Sequence, residues 1–254
     1  MTKQILFTLA LAGCLAITCD AELIDVQFGC SAGSACNFHT NTTQFSGAAA
    51  SGSSGDQWNL VTGDSNLGNK ATTPVALKTV SGATTSVTVT WDSALSSLQP
   101  ANSNITTGTY ANLFNAYLIM NDSNQTTCAC TIDIGGLVAN KYYLLYMINQ
   151  HGKGATGDEI RYTINGTQYA ATNAEVTPVS SPGLTQDTNW EVYTVQATSG
   201  GDINLSFNKN SIAGVNAAIN GFQLVETPEP GTVAMAGGGL LLVGIGRIRR
   251  RRQP

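Results

Sequence analysis

The stretch IRYTINGTQYAA, residues 160–171, decides the fold. Ile160, Tyr162 and Ile164 alternate with polar neighbours, the period of two that a half-buried β-strand requires. Asn165-Gly166 follows at once, and both residue types tolerate the positive φ that a two-residue type I′ turn needs at its two central positions. The spacing predicts a β-hairpin with Ile160, Tyr162 and Ile164 facing inward.

The same alternation recurs on both sides. Upstream, LIDVQF (23–28), SVTVTW (86–91) and CACTIDI (128–134) read as strands, and YYLLYMI (142–148), apolar on both faces, as a central one. Downstream, WEVYTVQA (190–197) puts Tyr193 and Val195 on one face, DINLSF (202–207) does the same with Ile203, Leu205 and Phe207, and INGFQLVE (219–226) closes the series. Only YANLFNAYLIM (110–120) has the makings of a short helix. No βα alternation exists, which excludes doubly wound folds. Eight or more short antiparallel strands imply an all-β antiparallel β-sandwich of jelly-roll type.

Composition agrees. The 254 residues suffice for one ordinary domain with terminal signals, or for two small domains. Charged residues make up 11%, against about a quarter in average proteins, while hydrophobic residues reach 42%, enough for a folded core. Asn, Thr, Ser, Gly and Ala fill the gap, a mixture suited to exported β-proteins with uncharged polar faces. Residues 1–21 read as a leader, 22–226 as the sandwich and 227–254 as a tail. From Glu22 to Glu229 there are fifteen acids and six bases, a formal charge of −9. That excludes electrostatic binding of nucleic acid or an anionic membrane.

At the N-terminus, Lys3 precedes the apolar ILFTLALAGCLAI (5–17), which is short for a membrane span, and CDA then offers Ala21 before a cut. These are the parts of a secretory signal peptide, read by Sec-type export machinery. The alternative is LAGC (11–14), a lipobox-like sequence that would lipidate Cys14. Loss of the leader removes Cys14 and Cys19 and leaves Cys30, Cys36, Cys128 and Cys130, disulfide candidates in an oxidising compartment. Cys128 and Cys130 share a strand face with Cα atoms roughly 6.6 Å apart, near the upper limit for a bridge. This favours cross-pairing with Cys30 and Cys36, with two local bridges as the rival.

The tail, TPEPGTVAMAGGGLLLVGIGRIRRRRQP (227–254), holds Pro228-Glu229-Pro230, an apolar run from about 232 to 248, and Arg247, Arg249, Arg250, Arg251 and Arg252. As a helix the run is about 25 Å long, against a hydrocarbon core of about 30 Å. The arginines can snorkel to close the gap and, staying cytoplasmic, put the preceding domain outside. With the three parts in this order, the tail resembles the PEP-CTERM sorting signal of Gram-negative bacteria. The resemblance implies an exosortase-type membrane enzyme as partner, cleavage near Pro228-Glu229-Pro230, inner-membrane anchoring before processing, and delivery to the cell surface or to exopolysaccharide. A plain C-terminal anchor is the alternative. LIDVQFG, FSGAAASGSSGDQWNLV, TIDIGGLVANKYYLLYMINQHG, IRYTINGT and NGFQLVETPEP further resemble exported PEP-CTERM proteins with a galactose-binding-like jelly roll. That resemblance implies architecture more than ligand, although such sandwiches often bind sugars through loops at one end.

Chemistry-bearing motifs are few. GCSAG (29–33) matches G-x-S-x-G around Ser31, but no helical pattern follows, as a nucleophile elbow requires. His39 and His151 have no recognisable acid partner. Asp56, Trp58 and Asn59, in SGSSGDQWNLV (51–61), offer an aromatic face and hydrogen-bonding groups for a sugar; the competing and favoured reading packs Trp58 as the first inward residue of a strand. Asp56, Asp64 and Asp158 show no calcium-loop periodicity. The Thr-rich TTSVTVT (84–90) is explained by β-propensity. The expectation is a non-enzymatic exported surface protein without cofactor or metal, with a carbohydrate-binding module as the alternative and a Ser hydrolase built on Ser31 as the remote one.

Overall fold

The computed structural model of the protein describes residues 22–29, 45–62, 71–92, 96–100, 110–114, 116–120, 130–149, 159–169, 172–173, 184, 186, 189–209 and 217–227. The chain divides into two units: Leu23–Glu226, and Met1–Glu22 with Thr227–Pro254. Of the second, only Glu22 and Thr227 are among the described residues. The expected leader, the sorting tripeptide, the apolar tail and its arginines lie outside them.

Leu23–Glu226 is an all-β sandwich. Its first sheet has the strand order β12 (Trp190–Gln196), β8 (Tyr142–Ile148), β15 (Gly221–Glu226), β1 (Leu23–Gly29) and β2 (Trp58–Thr62). Within it β1 pairs antiparallel with β15 and parallel with β2. The second sheet runs β10 (Thr167–Gln168), β9 (Glu159–Ile164), β13 (Ile203–Lys209), β7 (Cys130–Gly135), β4 (Thr84–Asp92) and β3 (Ala71–Lys78), with β11 (Thr172–Asn173) also on β9. A small third sheet joins β14 (Ala217–Ile219), β6 (Ala116–Met120) and β5 (Ser96–Pro100).

The hairpin that opened the sequence reading forms as expected. Ile164 pairs with Thr167 across Asn165-Gly166, whose φ values of 47° and 79° are those of a I′ turn. Asn165 also ties the hairpin sideways: its amide nitrogen donates to the Gln196 carbonyl at 2.7 Å, and its amide oxygen accepts from Asn204 N at 2.8 Å. Ile160, Tyr162 and Ile164 are buried, as are Tyr193 and Val195, and Ile203, Leu205 and Phe207. Together with Val89, Trp91, Ile132, Leu145, Phe222 and others they form one core between the two large sheets. Period-two alternation generates that core, because each strand gives every second residue to it.

One expectation is overturned, and one strand goes unread in the sequence. Residues 110–120 are not one helix. A single turn, α1 (Ala111–Phe114), closed by Phe114 N donating to the Tyr110 carbonyl at 3.0 Å, gives way to strand β6. An apolar run of that length satisfies either period, and pairing with β5 and β14 decides the matter. Strand β3 was not anticipated because Pro74 interrupts it. The strand lies at the sheet edge, where a missing N–H is tolerated, and its register against β4 shifts between Ala71 and Val75.

Candidate functional site

On the outer face of the five-stranded sheet, the central strands β1 and β15 carry polar residues. On β1 these residues are Asp25 and Gln27, and on β15 Gln223, opposite Asp25 in register. All three are fully buried. The cover consists of residues 45–57 and α1, held by side chains that reach from the sheet to loop backbone. Gln223 accepts from Ser51 N at 2.9 Å and donates to the Ser51 carbonyl at 2.9 Å and to Asp25 Oδ1 at 2.8 Å. Gln27 accepts from Phe45 N at 3.0 Å and donates to the Asn112 carbonyl at 2.5 Å. Amide side chains suit this task, since each supplies both donor and acceptor to a backbone that has left the sheet ladder.

Of the three residues singled out for sugar binding, Asp56 belongs to this cover and Trp58 and Asn59 open strand β2 beside it. Asp56 is buried and accepts from Ser53 N at 2.6 Å and Ser53 Oγ at 2.7 Å. Gly52, at φ 106°, passes so close that a Cβ there would stand 1.9 Å from Asp56 Oδ2. Trp58 opens β2, is 1% exposed, donates from Nε1 to the Gly47 carbonyl at 2.8 Å, and meets Phe45 edge-on at 5.2 Å. With Leu113, Phe114 and Ile148 these two rings form a second apolar cluster. Asn59 bridges the sheets at their edge: its amide nitrogen donates to the carbonyls of Asp25 at 2.9 Å and Lys78 at 2.7 Å, and its oxygen accepts from Lys78 N at 2.8 Å. The structure thus brings Asp56, Trp58 and Asn59 to one place, where the indole is buried under the cover and the polar atoms serve the fold.

Asp25 has the most perturbed environment of the cover. Burial pushes its carboxyl up to about 7; the Gln223 bond opposes this and the Asp56 charge adds to it. Its Oδ2 has no hydrogen-bond partner. A second buried polar group sits between the sheets. Tyr193 donates to Glu191 and packs edge-on against Tyr162 at 5.6 Å and Tyr169 at 4.6 Å. Burial, then Tyr193 and Glu191, hold the Tyr162 phenol well above its ordinary range. Neither group was legible as a site, because Asp25 and Glu191 each read as one polar residue in an alternating strand.

Beyond the cover, towards β8 and β12, the outer face is partly exposed among the described residues, with Trp190 packing at its near end against the Phe45–Trp58 cluster. Tyr146 and Trp190 lie 5.7 Å apart between ring centroids, tilted by 48°, and both are half-buried. Tyr142 is 48% exposed and Val192, opposite Tyr146 in register, 36%. Leu144, Thr194 and Val225 complete this face in one row.

Cys130 is buried at the start of β7 and points into the core. Cys14, Cys30, Cys36 and Cys128 lie outside the described residues, as do Ser31, His39, Asp64, His151 and Asp158. Among the described residues no group of three His, Cys, Asp or Glu is placed to hold a metal, and no helix is long and apolar enough to cross a membrane.

No family model matches the chain, and no curated protein sequence matches it. Solved structures do. The ANXUR1 extracellular domain from Arabidopsis thaliana is 14% identical at a TM-score of 0.41, over 54% of this chain and 40% of that one. The plant receptor-like kinase ANX2 is 10% identical at 0.44, over 83% and 50%. A Bacteroides uniformis β-glucuronidase is 12% identical at 0.37, over 55% and 14%. This chain therefore spans half or less of the length of each of these three.

Proposed function

We propose that this is an exported, non-enzymatic surface protein: a galactose-binding-like jelly roll delivered by a signal peptide and the Sec machinery, then sorted by its tail. In this reading the apolar run from about 232 to 248 is a transmembrane helix, oriented by Arg247 and Arg249 to Arg252. An exosortase-type enzyme acts near Pro228-Glu229-Pro230, and the released domain joins the cell surface, in association with exopolysaccharide. Oxidation of Cys30, Cys36, Cys128 and Cys130 accompanies export.

The observation that carries the reading is the order along the chain. The compact unit ends at Glu226, and the tripeptide follows immediately, ahead of the apolar run and the arginines. In this reading the two prolines disfavour helix between the domain and the apolar run, which suits a protease-like cleft. The test compares two variants in a host with the sorting enzyme. Glu229→Ala should leave full-length protein in the inner membrane. Arg249→Ser to Arg252→Ser together should misplace or release unprocessed protein. If both variants reach the surface with wild-type mass, the tail is an anchor and the sorting reading fails.

A further inference from the structure

We propose that the partly exposed outer face of β8 and β12 is a binding platform for a neutral polysaccharide chain. This deepens the exopolysaccharide part of the reading above by giving it a site. Two of the three large apolar side chains exposed among the described residues, Tyr142 and Val192, lie on this one face. Tyr146 stands opposite Val192 in register, and Trp190 lies two residues beyond Val192, away from Tyr142, where it forms a tilted pair with Tyr146. Tyr142 and Tyr146 are four residues apart on one strand, about 13 Å, so the aromatic line is longer than a monosaccharide needs. Aromatic rings beside a hydroxyl such as that of Thr194 match the apolar face and polar rim of a sugar ring. At β12 the face reaches the edge of its sheet, so a polymer can run off it without threading.

Charge selects among occupants. None of the side chains that β8 and β12 place on this face is ionisable except the tyrosine phenols, whereas residues 22–229 carry a formal −9. That charge repels an anionic polymer, and it also opposes a second copy of the chain stacking face to face. An uncharged glycan meets neither penalty.

The test is affinity electrophoresis of the full chain in mild detergent, through gels holding hydroxyethyl cellulose, dextran or galactomannan, with alginate as the anionic comparator. At least one neutral polymer should retard the wild type. Val192→Glu with Thr194→Glu, both exposed positions, should weaken retardation about tenfold or more, and Tyr146→Leu, which keeps the bulk but removes the ring, should also weaken it. Thr167→Glu, on the distant hairpin, should not. Four results overturn the proposal: no retardation by any neutral polymer, equal retardation by alginate, unchanged retardation of the face variants, or a wild-type dimer in sedimentation that the face variants convert to monomer. None of these outcomes touches processing at the tail, so failure here is distinguishable from failure of the sorting reading.

Discussion

On its inner face β1 presents Ile24, Val26 and Phe28 to the opposite sheet; one residue along, on its outer face, it presents Asp25 and Gln27. Both sets are buried. The inner set is buried by apolar packing, which is non-directional and tolerates many arrangements of comparable volume. The outer set is buried by residues 45–57 through hydrogen bonds to named backbone atoms, and these admit one arrangement. The inner face therefore supplies most of the stability, and the outer face fixes where one loop sits.

The largest effect expected follows from the inner face. Phe222 is fully buried and meets Phe28 at 6.3 Å. Phe222→Ala should cost about 3–5 kcal/mol in denaturant titration, with little change in slope. A cost below about 1 kcal/mol would place the main core elsewhere.

Next comes pH. The Asp25 carboxyl titrates near 7 in the folded chain against 3.8 ordinarily, so the fold prefers it protonated. The associated stability is fully present below about pH 4 and is lost as pH rises through 7. The span is on the order of 4 kcal/mol. Asp56 is the acid that faces Asp25, and Gln223 its hydrogen-bond donor. Asp25→Asn should flatten the melting temperature between pH 5 and 8; an unaltered slope in that variant would assign the titration to another group.

Gln223→Ala tests the outer face alone. It strands Ser51 N, the Ser51 carbonyl and Asp25 Oδ1, at about 1–3 kcal/mol. Proteolysis within 45–57 should accelerate more than global unfolding does. Equal acceleration of both would mean that loop and sheet are one cooperative unit.

The smallest effect lies outside both faces. Lys141 and Glu226 form a partly exposed ion pair at 2.7 Å. Lys141→Ala should cost about 0.2–1 kcal/mol, less in high salt; a larger loss would show that the pair anchors the end of β15.

The inner face was legible in the sequence because period two is the one signal it needs. Ile160, Tyr162 and Ile164, or Ile203, Leu205 and Phe207, announce a buried row without reference to any partner. The outer face was not, because an alternating polar residue reads as solvated until something covers it. The cover comes from Gly- and Ser-rich sequence (46–55) that reads as plain loop, and its fastening to Gln27 and Gln223 spans 18 and 172 residues. Trp58 shows the boundary between the two cases. Its place at the head of a strand fitted inward packing, but the cluster it enters lies on the side of the sheet away from the main core. β14 and β5, three and five residues long, carry too little alternation to be read at all.

The strand order has a consequence for synthesis. β15, the last strand among the described residues, lies in the middle of its sheet, between β8 and β1. Before it emerges, β12 with β8 and β1 with β2 are separate ribbons, and neither pair is independently stable. A chain made from its N-terminus thus stays incompletely folded until residue 226 has emerged, and this sheet is then completed in a single late step by β15. A nascent chain stalled before Gly221 should remain open to protease, whereas one stalled after Glu226 has every strand that this sheet needs to close.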